Sequence, residues 1–118
     1  MTIYGIKNCN SVKKALKYIK EHNLKYDFVD FKTTLVDEEK IASWLKHQSI
    51  DKLFNSKSTT YRNLKLKELD LDEDGKAEWM SKENLLIKRP VIEFADKVVV
   101  GFDQEEYEDI FSTSAKQY

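Results

Sequence analysis

Residues 1–31 change hydrophobic period twice, and this constrains the fold more than any other feature of the chain. Thr2–Tyr4 is a short run of β-formers, broken by Gly5. From Ser11, the apolar residues Val12, Ala15, Leu16 and Ile19 recur at i, i+3, i+4 and i+7, one face of a helix. Lys13, Lys14, Lys17 and Lys20 occupy the opposite face. "EHN" closes that helix, and Tyr26–Phe31 ("YDFVDF") alternates as a half-buried strand does. A helical crossover of this length joins parallel strands in a right-handed sense, so the chain opens as a β-α-β unit.

The rest of the chain extends the same layer. Asp37 is placed to cap a helix with Glu38 and Glu39 in its first turn and Ile41, Trp44 and Leu45 on one face. Between Asp51 and Asn84 the apolar residues do not alternate, and polar runs ("NSKSTT", "DLDEDG") interrupt them, which predicts several short helices. "RPVIEFADKVVVGF" then reads as a hairpin, Val91–Phe94 and Val98–Val100 around "ADK". Asp103 with Glu106 makes a box-like start for a last helix carrying Tyr107, Ile110 and Phe111. The order β-α-β, helical block, β-β-α predicts an α/β fold with a four-stranded mixed sheet. A single domain, 1–118, is expected, with its core in about 1–35 and 86–111, a helical insertion in about 36–85 and a frayed tail at 112–118.

Composition narrows the function. Lys+Arg 20 against Asp+Glu 21 leaves a net charge of −1, which creates no field to gather nucleic acid or anionic lipid. "MTIYGIKN" has no basic start or long apolar segment, and no run reaches the roughly 20 residues of a membrane span. A cytoplasmic protein is expected, a monomer by default. One cysteine and two histidines at unrelated spacings define no metal site, and three glycines form no phosphate loop.

The one cysteine, Cys9, falls on the joint between the first strand and the first helix. There it is either a buried, inert thiol or a nucleophile, which acts only as the thiolate. Unpaired N–H groups at a helix start favour an anion, and Lys7, Lys13 and Lys14 are close in sequence. Asn8, Asn10 and Ser11 suggest an unsealed loop. Pro90, the only proline, opens a predicted strand, and Arg89 beside it offers a fork of donors for a carboxylate or oxyanion.

Together these pieces resemble the thioredoxin-like ArsC/Spx family over about residues 2–111. "YGIKNC" (4–9), "TTYRNL" (59–64) and "LIKRPVI" (86–92) are similar to its short YffB-like branch. The resemblance implies that Cys9 is the reactive thiol, that Arg89 faces it across a cleft and that Pro90 is a cis-proline. It also marks Lys7, Asn8, Asn10, Asn55, Lys57, Arg62 and Pro90 as substrate-binding candidates. Arsenate reductases of the family carry a histidine before the cysteine, where Gly5 lies here, and three arginines around the oxyanion. Arg89 matches one; Asn55 and Gly101 occupy the other two places, with Lys57 and Arg62 as stand-ins. Spx-type regulators bind the C-terminal domain of the RNA polymerase α subunit and carry a C-x-x-C switch; here "CNSV" puts Val12 at the second position.

The expected activity is that of a one-cysteine thiol oxidoreductase that attacks a protein disulfide or an S-glutathionylated substrate, with glutathione as co-substrate. No bound cofactor is expected. The alternatives are an arsenate reductase with a degraded oxyanion site and a polymerase-binding regulator.

Overall fold

The structure, a computed structural model, describes residues 1–112; of the expected tail, 113–118 lie outside the described residues. Strand β1 (Thr2–Gly5) leads into helix α1 (Asn10–Glu21), which returns to β2 (Asp27–Asp30). Strands β3 (Val91–Phe94) and β4 (Lys97–Val100) follow the insertion. The sheet order is β2-β1-β3-β4, with β1 and β2 parallel and the other pairs antiparallel. Tyr4 sits opposite Val91, and Val91 opposite Val100, so the C-terminal ends of β1 and β4 and the N-terminal end of β3 share one edge.

The period-2 alternation of the strands sorts their side chains between two cores. Ile3, Ile92 and Val99 face α1 and the C-terminal segment, where Ala15, Ile19, Tyr107 and Phe111 are buried. Tyr4, Val91, Val98 and Val100 face the insertion, where Ile41, Trp44, Leu53 and Met80 are buried. Helices on both faces of the sheet give the three-layer thioredoxin-like arrangement.

The polar punctuation of the insertion becomes its helix caps. Asp37 caps α2 (Glu38–Leu45), Ser49 caps α3 (Ile50–Leu53), Ser58 caps α4 (Thr59–Asn63) and Asp72 caps α5 (Glu73–Lys82), each accepting a backbone N–H. Short 3₁₀ turns occupy Leu66–Leu69 and Asn84–Leu86. The hairpin turn is tighter than "ADK" suggests, because Lys97 pairs with Phe94 and only Ala95 and Asp96 turn. Ala95 takes φ 53 there. The last helix, α6 (Gln104–Tyr107), is capped by Asp103 and widens into a π-type turn over Glu108–Ser112. No helix among the described residues is long and apolar enough to cross a membrane.

A polar clamp fastens the insertion to the sheet. Glu93 on β3 accepts from Tyr4 Oη on β1 at 2.9 Å, and from Trp44 Nε1 at 2.8 Å and Lys40 Nζ at 3.1 Å on α2. Burial is the strongest single influence on the Glu93 carboxyl and pushes its pKa up. The three donors and the charge of Lys40 together outweigh it and hold the group below the ordinary value of 4.5. A depressed carboxyl contributes stability above its unfolded value, and that stability is lost as pH falls through the folded one. Glu93→Gln is therefore expected to lower the urea midpoint at pH 7 and to flatten its fall below about pH 4.5. A parallel, undiminished acid dependence in both proteins would show that other carboxyls carry it.

Candidate functional site

β1 ends at Gly5, and the loop after it reaches α1 through Lys7 and Asn8, both exposed. Cys9 is the N-cap residue of the 12-residue helix α1, extended at φ −143 and ψ 126, and its carbonyl accepts from Lys13 N at 2.9 Å. Its side chain makes no capping hydrogen bond, so the thiol satisfies none of the first-turn N–H groups. It is half-buried, with one side packed on the insertion-facing core. Asn10 opens the helix and is exposed.

Three contacts hold the segment 87–90 at the same edge of the sheet. Lys88 N donates to Leu53 O at 2.8 Å, and Asn55 N to Leu86 O at 2.7 Å, around a bridge between Phe54 and Ile87. Gly101 N donates to Pro90 O at 2.8 Å, at φ +80 that only glycine adopts without strain. Tyr107 Oη in turn donates to Gly101 O at 2.6 Å. Gly5 supplies the third contact by having no side chain. A Cβ there would stand 2.8 Å from Val12 Cγ2 on α1 and 3.9 Å from Arg89 Cβ. The first turn of α1 and the stem of Arg89 therefore close over Gly5 together.

The Arg89–Pro90 peptide is cis, and Pro90 is buried. Arg89 is half-buried, and its Nη1 makes a long 3.5 Å bond to Leu85 O. Its Nε is buried without a hydrogen-bond partner among the described residues. A guanidinium carries five donors, so most of this fork is uncommitted.

The other candidates divide. Asn55 lies beside the 86–88 segment, but its Oδ1 accepts from Lys57 N at 3.1 Å, which commits its carbonyl oxygen to its own turn. Lys57 is exposed, and Arg62 is exposed on α4 with Nη2 bonded to Thr59 at 3.5 Å. The structure thus brings Cys9, Gly5, Arg89, Pro90 and the backbone of Asn55 to one edge. No group of three or more His, Cys, Asp or Glu that could hold a metal occurs among the described residues. A concavity of about 460 Å³ between α2 and α5 is lined by residues such as Glu39 and Asp74 and does not include Cys9. Sequence reading missed Ser11, Lys52 and Lys88, which line a cleft next to the start of α1. The position of Lys88 directly before Arg89 was the only signal for it.

A four-stranded mixed sheet with a lone cysteine capping the first crossover helix and a cis-proline opening β3 defines a thioredoxin-like protein of the arsenate-reductase type. The chain belongs to the ArsC family, whose profile matches residues 4–110. It is 35% identical over 113 residues to an uncharacterized protein of Haemophilus influenzae, covering 95% of this chain and 99% of that one. It is 26% identical over 108 residues to the regulatory protein MgsR of Bacillus subtilis, covering 90% of this chain and 86% of that one. Among solved structures, the protein YFFB (PA3664) shares 36% identity at a TM-score of 0.85, covering 92% of this chain and 96% of that one. An arsenate reductase (ArsC) related protein from Brucella melitensis shares 37% identity at a TM-score of 0.71, covering 93% of this chain and 92% of that one.

Proposed function

We propose that the chain is a one-cysteine thiol oxidoreductase that works through a mixed disulfide at Cys9, with glutathione as co-substrate. The observation that supports this most is the free, half-buried thiol at an N-cap whose N–H groups it leaves unpaired, beside an arginine with uncommitted donors. The Cys9 thiolate attacks one sulfur of a protein disulfide or of an S-glutathionylated protein. The Cys9–substrate S–S bond forms as the old one breaks, and the second sulfur leaves as a thiolate that takes a proton from water. The chain has no second cysteine to resolve the adduct. A glutathione thiolate therefore attacks the mixed disulfide, releases Cys9 and carries away the new disulfide. Arg89 holds a carboxylate of glutathione through its planar fork.

Intact-mass analysis after incubation with glutathione disulfide tests the reading. One glutathionyl adduct, located at Cys9 and removed by glutathione, is expected; no adduct at all sinks the mechanism. Arg89→Lys keeps the charge and loses the fork, so the rate of Cys9 adduct formation with glutathione disulfide should fall about tenfold, the equivalent of one charge-assisted hydrogen bond. An unchanged rate would make Arg89 a packing residue.

Arsenate reduction is less well supported. Only Arg89 of the three arginine places is filled, and the carbonyl oxygen of Asn55 is already used by Lys57 N. The kinship with the regulatory protein MgsR favours a second reading, a regulator; by resemblance to Spx-type proteins it would bind the C-terminal domain of the RNA polymerase α subunit. Specific capture of that domain by the purified chain, without thiol turnover, would select it.

A further inference from the structure

Beyond Cys9 and Arg89, the same edge of the sheet carries a cleft of about 390 Å³ whose lining crosses four parts of the fold. Ser11 comes from the first turn of α1, two residues past the thiol. Lys52 comes from α3 and Lys88 from the segment before Pro90. Gly101, Asp103 and Glu106 come from the end of β4 and from α6.

The charges in this cleft are unequally committed. Lys52 Nζ lies 3.8 Å from Glu106, and Asp103 Oδ1 accepts the Glu106 backbone N–H as a cap. Lys88 makes no ion pair and Ser11 Oγ no hydrogen bond among the described residues. Gly101 makes room for the lysine: a Cβ there would stand 3.4 Å from Lys88 Cε. Meanwhile the Lys88 backbone is fixed by its bond to Leu53. Lys52 and Glu106 offset one another and Asp103, still charged, is engaged as a helix cap, while Lys88 and Ser11 are open donors that can meet the oxygens of an anion.

We propose that this cleft is a carboxylate subsite for the thiol co-substrate, with Lys88 as its specificity-determining residue and Ser11 as a second donor. The subsite deepens the reading of Cys9 as the reacting thiol and rests on it. It assigns one carboxylate of the co-substrate to Lys88, beside the one held by Arg89. Glu106 opposes it by neutralising Lys52.

Charge selectivity tests the assignment. The rate of mixed-disulfide formation at Cys9 is measured by intact mass with glutathione disulfide, neutral 2-hydroxyethyl disulfide and cationic cystamine. For Lys88→Glu, the rate-constant ratio of glutathione disulfide to 2-hydroxyethyl disulfide should fall about fivefold, the upper range for one exposed ion pair. The ratio for cystamine should rise. Glu106→Gln, which frees Lys52, should move the glutathione ratio the opposite way. Equal loss on all three substrates in Lys88→Glu, or no change in any ratio, would overturn the subsite. Binding of S-methylglutathione, which cannot form a disulfide, is followed in parallel by amide chemical shifts. Shifts around Lys88 that vanish in Lys88→Glu uphold the cleft even if Cys9 never turns over, in which case the thiol reading alone fails. Binding of S-methylglutathione indifferent to Lys88→Glu removes the cleft and leaves the thiol reading standing.

Discussion

Cys9→Ser should abolish thiol–disulfide turnover and at the same time make the protein more stable. The two halves of this result come from one geometric fact. Cys9 stands at the N-cap of α1 in the extended conformation that capping residues adopt, yet its side chain makes no capping bond. Serine is isosteric and among the best N-caps, and its oxygen can accept a first-turn N–H that sulfur leaves unpaired. A gain of about 0.5–1 kcal/mol follows. The hydroxyl is not a nucleophile toward disulfides at neutral pH, so adduct formation with glutathione disulfide and reduction of other disulfides should drop to background. Cys9→Ala separates the effects: equally inactive, but without the gain in melting temperature. Turnover surviving in Cys9→Ser would exclude the proposed chemistry. A fall in melting temperature for both variants would mean that the thiol is held by packing, as an inert core cysteine is.

The same position explains what was legible in the sequence. The β-α-β start, the hairpin and the last helix announce themselves because each buries a face with its own period, 3.6 or 2. The caps were legible as well, since Asp37 and Asp103 are short acceptors placed just before apolar helical spacing. The placement of the candidate residues was legible where it is local: Cys9 at the joint between β1 and α1, Arg89 and Pro90 before a strand. It was not legible where position depends on long-range pairing. Lys88 and Lys52 share a cleft because residues 53–55 lie against 86–88, more than 30 residues apart in the chain. Nothing local encodes that contact. Glu93 went unremarked in "VIEF" for a related reason: the insertion folds over it and supplies two donors, Lys40 and Trp44, beside Tyr4 of β1. Arg62, by contrast, looked like a ligand by resemblance and bonds within its own helix.

Asn84 is the residue whose exchange should damage the fold most. It is 3% exposed, and its amide is fully engaged across the insertion. Oδ1 accepts Val36 N at 2.7 Å, while Nδ2 donates to Val36 O at 3.2 Å and Met80 O at 2.8 Å. The side chain thus pairs with Val36 as a neighbouring strand would, and ties the lead-in of α2 to the end of α5. Asn84→Asp keeps the acceptor for Val36 N but turns two donors into an acceptor facing two carbonyls. An unpaired buried carboxylate of this kind costs about 3–5 kcal/mol, a large share of a small domain's stability. The variant carries its own pH signature. Burial and the two carbonyls raise the folded pKa of the new carboxyl above the unfolded value near 3.9. Its penalty is therefore absent below that value and grows as pH rises. The deficit in urea midpoint relative to the parent should be large at pH 7 and small at pH 4; a deficit independent of pH would place the damage in packing rather than charge. Because the 3₁₀ turn Asn84–Leu86 leads directly into the segment that carries Lys88, Arg89 and Pro90, the rate of adduct formation with glutathione disulfide should fall even where the variant remains folded. The lock is remote from the thiol, yet it sets where the arginine and lysine stand.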